Sequence, residues 1–307
     1  MRNIFRYYNQ NKRSIWLAII AIIITIIAIQ AINEIVKDKN SSNNPNNIVN
    51  YEDYKNNPDI NVLITEAEVK ENEDLIIDQF LRFCNANKIE EAYALLTDSC
   101  KQELFPTIEE FNGNYYRKNF SVKKLYSKEK YTGNTYKIKL YEDILKNGDT
   151  KNIEDYFTIQ KENGITKLNI NNYIQTKEIN KTSENEYLKI EVTKRKIYKE
   201  YEEYELRVTN LTYKTILLDS KESTKTMYLK GKNSVSYYAL SHEVLLNNLC
   251  IRPKATQSLS IKYNKEYNSN QTINQLIFED VILNYDEYKS KVKKSEYTDR
   301  TIFKINV

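Results

Sequence analysis

The sequence predicts an N-terminal transmembrane helix, then an α+β domain with its helices on a curved antiparallel sheet, then an all-β sandwich. Three observations carry that expectation. Residues 14–32, SIWLAIIAIIITIIAIQAI, hold no charge and as a helix match the roughly 20 residues that a bilayer core requires. Between about 69 and 175 the apolar residues first recur at helical spacing and then alternate. From 187 to 307 the apolar period is two almost throughout.

The apolar run is read as an uncleaved signal anchor, a transmembrane helix over 14–36. A helix satisfies its backbone polar groups internally, so β-branched isoleucines do not exclude it from lipid. Trp16 suits the headgroup region. Cleavage after Ala31 would place Ile29 where a small residue is needed, and the run is longer than a signal-peptide core. Arg2, Arg6, Lys12 and Arg13 precede it with no acid among them. The positive-inside rule then makes 1–13 a cytoplasmic tail and puts the bulk of the chain outside the cell membrane after a single pass. These four residues equal the chain's net charge of +4, so the remainder of the chain is close to neutral. Nucleic-acid binding wants a surplus of basic charge, so no nucleic-acid partner is expected. Residues 37–68, rich in Asn around Pro45 and Pro58, read as a disordered linker, because such sequence buries too little apolar surface to offset its ordering entropy.

In the α+β domain, 69–175, Ile76, Ile77, Phe80, Leu81 and Cys84 make one helical face, with Asn72 a candidate N-cap. Ile89, Ala92, Tyr93 and Leu96 make a second. Thr107 and Glu110 fit a capping box that opens a third helix, running to about Arg117. Ile76, Phe80, Tyr93, Leu96 and Phe111 are expected in the core. Strands follow around Ile138, Phe157 and Leu168, and Asn147-Gly148 and Asn163-Gly164 are turn dipeptides. The stretch 80–111 contains Ala92-Tyr93, Leu95-Leu96-Thr97 and Thr107 to Phe111. It resembles the opening of nuclear transport factor 2-like domains, which implies that fold with a cone-shaped pocket. Some members are enzymes using an acid or His there, and many bacterial membrane-anchored members have no known activity.

The polar stretch 176–186 reads as a second linker, and 187–307 as the sandwich domain. Val208, Asn210 and Thr212, with Pro253 before a later strand, resemble the corner of immunoglobulin-like domains of bacterial surface proteins. The acidic run Glu200, Glu202, Glu203 and Glu205 is read as a solvated turn or strand edge.

No residue is assigned a catalytic, cofactor-binding or metal role, and no cofactor is expected. His242 is the single histidine and lacks further ligands at metal spacing. Glu109 and Glu110 are assigned to capping and the helix dipole. Cys84, Cys100 and Cys250 form no CxxC and are read as buried free thiols, with a Cys84–Cys100 bridge the alternative outside the cytoplasm. The expected function is therefore that of a membrane-anchored extracytoplasmic binding or scaffold protein at the bacterial cell surface. It would be no enzyme and would meet a protein partner outside the membrane. Two alternatives stand beside it. The order of tail, span, linker and nuclear transport factor 2-like domain resembles the bridging component of conjugation or type IV secretion machines. The other is a small-molecule or enzymatic site in the cone pocket.

Overall fold

The computed structural model describes residues 74–142 and 152–307. Their backbone is mostly strand, arranged as fourteen strands in three antiparallel sheets around two hydrophobic cores. This corrects the expected fold class, because among the described residues the helices are short and the longest has 11 residues. The anchor expected over 14–36, with the tail, the first linker, Asn72 and Asn147-Gly148, lies outside the described residues. Among the described residues no helix is long and apolar enough to cross a membrane. The membrane partner, the single-pass topology and the cell-membrane localisation are corrected accordingly.

The first core begins with α1 (Leu75–Asn85), whose face of Ile76, Ile77, Phe80, Leu81 and Cys84 is buried. Three more short helices follow, α2 (Ile89–Ala94), α3 (Asp98–Leu104) and α4 (Ile108–Phe111). The helical pattern is broken by its own caps. Thr97 Oγ1 accepts from Cys100 N at 2.9 Å, and Thr107 Oγ1 accepts from Glu110 N at 3.2 Å, so each threonine starts a new helix. Pro106 has no N–H to extend α3. From α4 the chain continues through a π-helical turn, Asn112–Tyr116, into α5 (Arg117–Asn119).

Against these helices lies a sheet ordered β1 (Leu125–Thr132), β2 (Thr135–Tyr141), β3 (Ile153–Glu162) and β4 (Ile165–Asn169). Asn163 and Gly164, at φ 52° and 81°, make the tight turn between β3 and β4, where left-handed backbone suits this pair. Phe80, Leu96 and Phe111 meet Ile138, Phe157 and Leu168 in the core, while Tyr93 is half-buried at its margin. The other face of the sheet is not free. Tyr131 donates to Glu266 at 2.9 Å, and Glu266 also takes Lys199 at 3.0 Å, so the 264–270 loop is tied across it.

β5 (Tyr173–Glu184) leads from one core to the other, with Tyr173 in the first and Ile179 against the second. The expected linker 176–186 is thereby corrected, since residues 176–184 are strand paired with β6 (Leu188–Tyr198). β5 is an edge strand with mostly exposed side chains, so its sequence is polar although its backbone is paired.

The second core lies between two sheets. One has the order β12 (Thr256–Tyr263), β7 (Glu202–Asn210), β6, β5. The other contains β8 (Ile216–Leu217), β9 (Met227–Gly231), β10 (Ser236–Tyr238), β11 (Cys250–Ile251), β13 (Ile273–Ile282) and β14 (Arg300–Asn306). Both margins are tied. Leu240 N donates to Lys262 O at 2.8 Å beside β10, and Ser183 Oγ donates to Lys304 O at 3.1 Å between β5 and β14. Such ties cover edges that would otherwise offer unpaired backbone. The corner at Asn210 is built from its buried amide, which donates to Lys214 O and Ile251 O and accepts from Thr212 N.

Candidate functional site

The residues weighed for chemistry are scattered. The His242 side chain is 77% exposed, with the Glu243 carboxylate at 3.9 Å. Among the described residues no group of three or more His, Cys, Asp or Glu side chains is gathered where it could hold a metal ion. Glu109 and Glu110 lie in the first turn of α4. The cysteines are free. Burial pushes the Cys100 thiol up to about 12 and raises Cys84 well above its ordinary value, which suppresses the reactive thiolate in both. A native-state thiol titration is expected to modify Cys250, which is half-buried, while Cys84 and Cys100 react only after denaturant is added; three thiols reacting at equal rates in the native protein would contradict this.

Among the buried ionisable groups, two centres hold the densest sets of partners; sequence reasoning singled out neither Asp155 nor Lys265 and read Glu202 as solvated. Asp155, on β3, is 4% exposed. Its carboxylate accepts from Tyr115 Oη at 2.8 Å and from the backbone N–H groups of Tyr156, Asn172 and Asn171 at 2.6, 2.9 and 3.2 Å. Asn171 and Asn172 are both left-handed, at φ 59° and 61°, so this carboxylate pins the turn that leads into β5. Burial pushes its pKa up to about 6, against these four hydrogen bonds, which pull it down. A raised carboxyl is a recognised mark of an active site. Here its donors all come from the fold.

The second centre corrects the reading of the acidic run. Glu202 is 0% exposed, on the inward phase of β7 with Tyr204, Leu206 and Val208. Lys265, 1% exposed, continues the inward phase of Leu259, Ile261 and Tyr263. Arg195 reaches the same point because the register slips between Val192 and Lys194, which moves Arg195 onto the inward phase opposite Tyr204. Glu202 takes Arg195 in two bonds of 2.9 and 2.6 Å, Lys265 at 2.8 Å and the Tyr204 hydroxyl at 3.1 Å. The signal in the sequence is a charge standing in an apolar alternation, at Glu202 and again at Lys265. In both centres the hydrogen-bond and ion-pair partners come from the fold itself.

The outward faces of the two sheets around the second core differ. On the four-stranded sheet, charges pair across strands: Lys196 with Glu205 at 2.7 Å, Lys194 with Glu178 and Arg207 with Glu191 at 3.5 Å each. On the six-stranded sheet, Tyr238 of β10 stands opposite Tyr228 of β9, and Tyr228 opposite Ile277 of β13. Ile277 has the opposite phase to the core residues Leu276 and Phe278 and lies outside their cluster, but it is itself buried, at 2% exposure. Ile302 on β14, 53% exposed, extends the patch beside Lys304. With strands about 4.8 Å apart, this row crosses roughly 15 Å of rigid sheet. One of the polar grooves, lined by Lys230, Gln275 and Asn306 among others, adjoins it.

No family model, no curated protein and no solved structure matches this chain, and nothing among them identifies a nuclear transport factor 2-like or immunoglobulin-like domain.

Proposed function

We propose that this is a binding or scaffold protein without catalytic activity, which meets a protein partner on the outer face of the six-stranded sheet. The observation that carries the reading is that exposed Tyr238, half-buried Tyr228 opposite it and exposed Ile302 lie on a sheet face directed away from the core, with Ile277 buried between them. Tyrosine supplies large amphipathic contact area at low entropic cost, and exposed apolar patches rimmed by polar groups mark contact sites. Asp155 supports the same reading, since its carboxylate is taken up by Tyr115 and a backbone turn.

The test is site-specific photocrosslinking of the full chain in its native cells. A crosslinker at position 238 is expected to give a discrete adduct, and one at Ser258, on β12, to give none. Ile302→Asp is expected to reduce the adduct several-fold, and Asp155→Asn to leave it in place. Equal adducts at both positions, or none at 238, would overturn the reading. A folded Asp155→Asn protein that keeps the adduct and loses biological activity would replace it with an enzyme.

A further inference from the structure

We infer that the loop 264–270 is a lid on the outer face of the first sheet, hinged at a buried root and released at an exposed tip while both cores stay folded. The lid is independent of the contact face proposed above and lies on a different sheet.

The outer face is covered where a sheet face would ordinarily be wet. In β2 and β3 the residues Ile138, Leu140, Phe157 and Ile159 belong to the first core, so Thr135, Tyr156 and Thr158 stand on the opposite phase. An antiparallel sheet packed on one face commonly leaves the other solvated. Here Thr135 is 0% exposed, Thr158 5% and Tyr156 9%. Tyr131 packs edge-on against Tyr156 at 5.0 Å, and the Lys199 ammonium stands over the same ring at 5.1 Å. Both of these covering residues are held by Glu266, on the loop. Tyr267, next in the chain, lines one open groove together with Thr158 and Gly133.

The two ends of the loop are fixed and its middle is not. Lys265, at the root, bonds the buried Glu202 inside the second core at 2.8 Å. At the far end Thr272 O accepts from Lys232 N at 3.2 Å. Between them the ties lie at the surface. The Glu266 side chain is 61% exposed in its pair with Lys199, and Ser269 meets Thr132 through their hydroxyls at 2.7 Å. Surface pairs of this kind contribute little and are screened by salt, whereas opening the root would leave unpaired charge in the core. The tip therefore opens first. It also keeps its own turn, since Asn270 N donates to Asn268 Oδ1 at 2.9 Å and Gln271 N to Asn268 O at 3.1 Å. A segment with few buried contacts opens at a lower free energy than the cores beneath it.

The experiment is residue-resolved hydrogen exchange on the full chain, beside hydroxyl-radical footprinting of Tyr156. The Tyr267 amide, bonded to Lys199 O at 2.8 Å, reports the tip. The Lys265 amide, bonded to Tyr263 O at 2.7 Å, reports the root, and β7, inside its sheet, reports the second core. In the unaltered protein the Tyr267 amide is expected to exchange at least about tenfold faster than those of β7, with little dependence on dilute urea, and faster still at high salt. Glu266→Ala combined with Thr132→Val removes side-chain ties at the tip. It should raise Tyr267 exchange and Tyr156 labelling at least about threefold and leave Lys265 and β7 unchanged. The lid is overturned if Tyr267 and β7 share one rate and one urea dependence, or if the variant keeps Tyr267 and Tyr156 as protected as before. It is equally overturned if the variant releases Lys265 or β7 together with the tip, because the tip would then be holding the core.

Discussion

Glu202→Gln is expected to destabilise the protein by about 3–5 kcal/mol, the range for removing one partner of a buried ion pair. Glu202 is the carboxylate that Arg195 and Lys265 share inside the second core. Its amide cannot carry the charge, so two cations are left facing each other in a site from which water is excluded. The comparison that isolates the cause is Lys265→Met, which keeps the two-bond Arg195–Glu202 pair and the Tyr204 hydroxyl bond. A linear side chain of similar length removes one buried charge and leaves a balanced pair, so this variant should be clearly less damaging than Glu202→Gln. Urea unfolding of both variants measures the difference. Equal losses would show that packing volume, and not charge balance, governs the site.

The second large effect is a pH dependence located at Asp155. Its folded pKa, about 6, lies above the ordinary 3.8 because burial disfavours the carboxylate. The folded state therefore binds a proton more readily than the unfolded chain between these values. Stability from this group is fully present below the lower value and is lost as pH rises through the upper one. From neutral pH down to about pH 5 the wild-type protein should gain about 1 kcal/mol from this residue. Asp155→Asn has no such proton and should lose that part of the gain, while the contributions of other acids remain in both proteins. Urea unfolding at the two pH values measures this, and an unchanged pH slope in the variant would place the dependence elsewhere. The groups facing Asp155 are the Tyr115 hydroxyl, which burial raises well above its ordinary value, backbone N–H groups and the nearby Cys100 thiol, which burial pushes up to about 12, so none of them titrates in this window.

Much of the first core could be read from residue patterns. Ile76, Phe80, Leu96 and Phe111 are buried where helical spacing placed them, and Thr107 caps α4 as its position suggests. Asn163-Gly164 turns between β3 and β4. These features depend on side chains within a few residues of each other, so local sequence carries them. The polarity of 176–186 misled because an edge strand can have solvated side chains and a paired backbone together. The acidic run misled for a related reason, since Glu202 differs from Glu203 and Glu205 only in which face of β7 it occupies, while Glu200 lies in the exposed turn before the strand. The grouping on the outer face of the six-stranded sheet was not legible at all, because Tyr228, Tyr238, Ile277 and Ile302 lie on four strands spread over some 75 residues of chain.

The amino-acid sequence by itself determined which segments alternate and which wind, where caps and turns interrupt them, and which apolar residues face inward. Those are short-range properties, set by side-chain period and backbone preference. Only the tertiary structure decided which strands became neighbours. That choice carried β5 from one core to the other, brought Lys265 against Glu202 and lined up a tyrosine row across the six-stranded sheet. A single slipped register between Val192 and Lys194 turned Arg195 inward to complete the buried charge group. Strand pairing joins residues far apart in the chain, and one residue of shift exchanges the faces, so no local pattern contains the outcome.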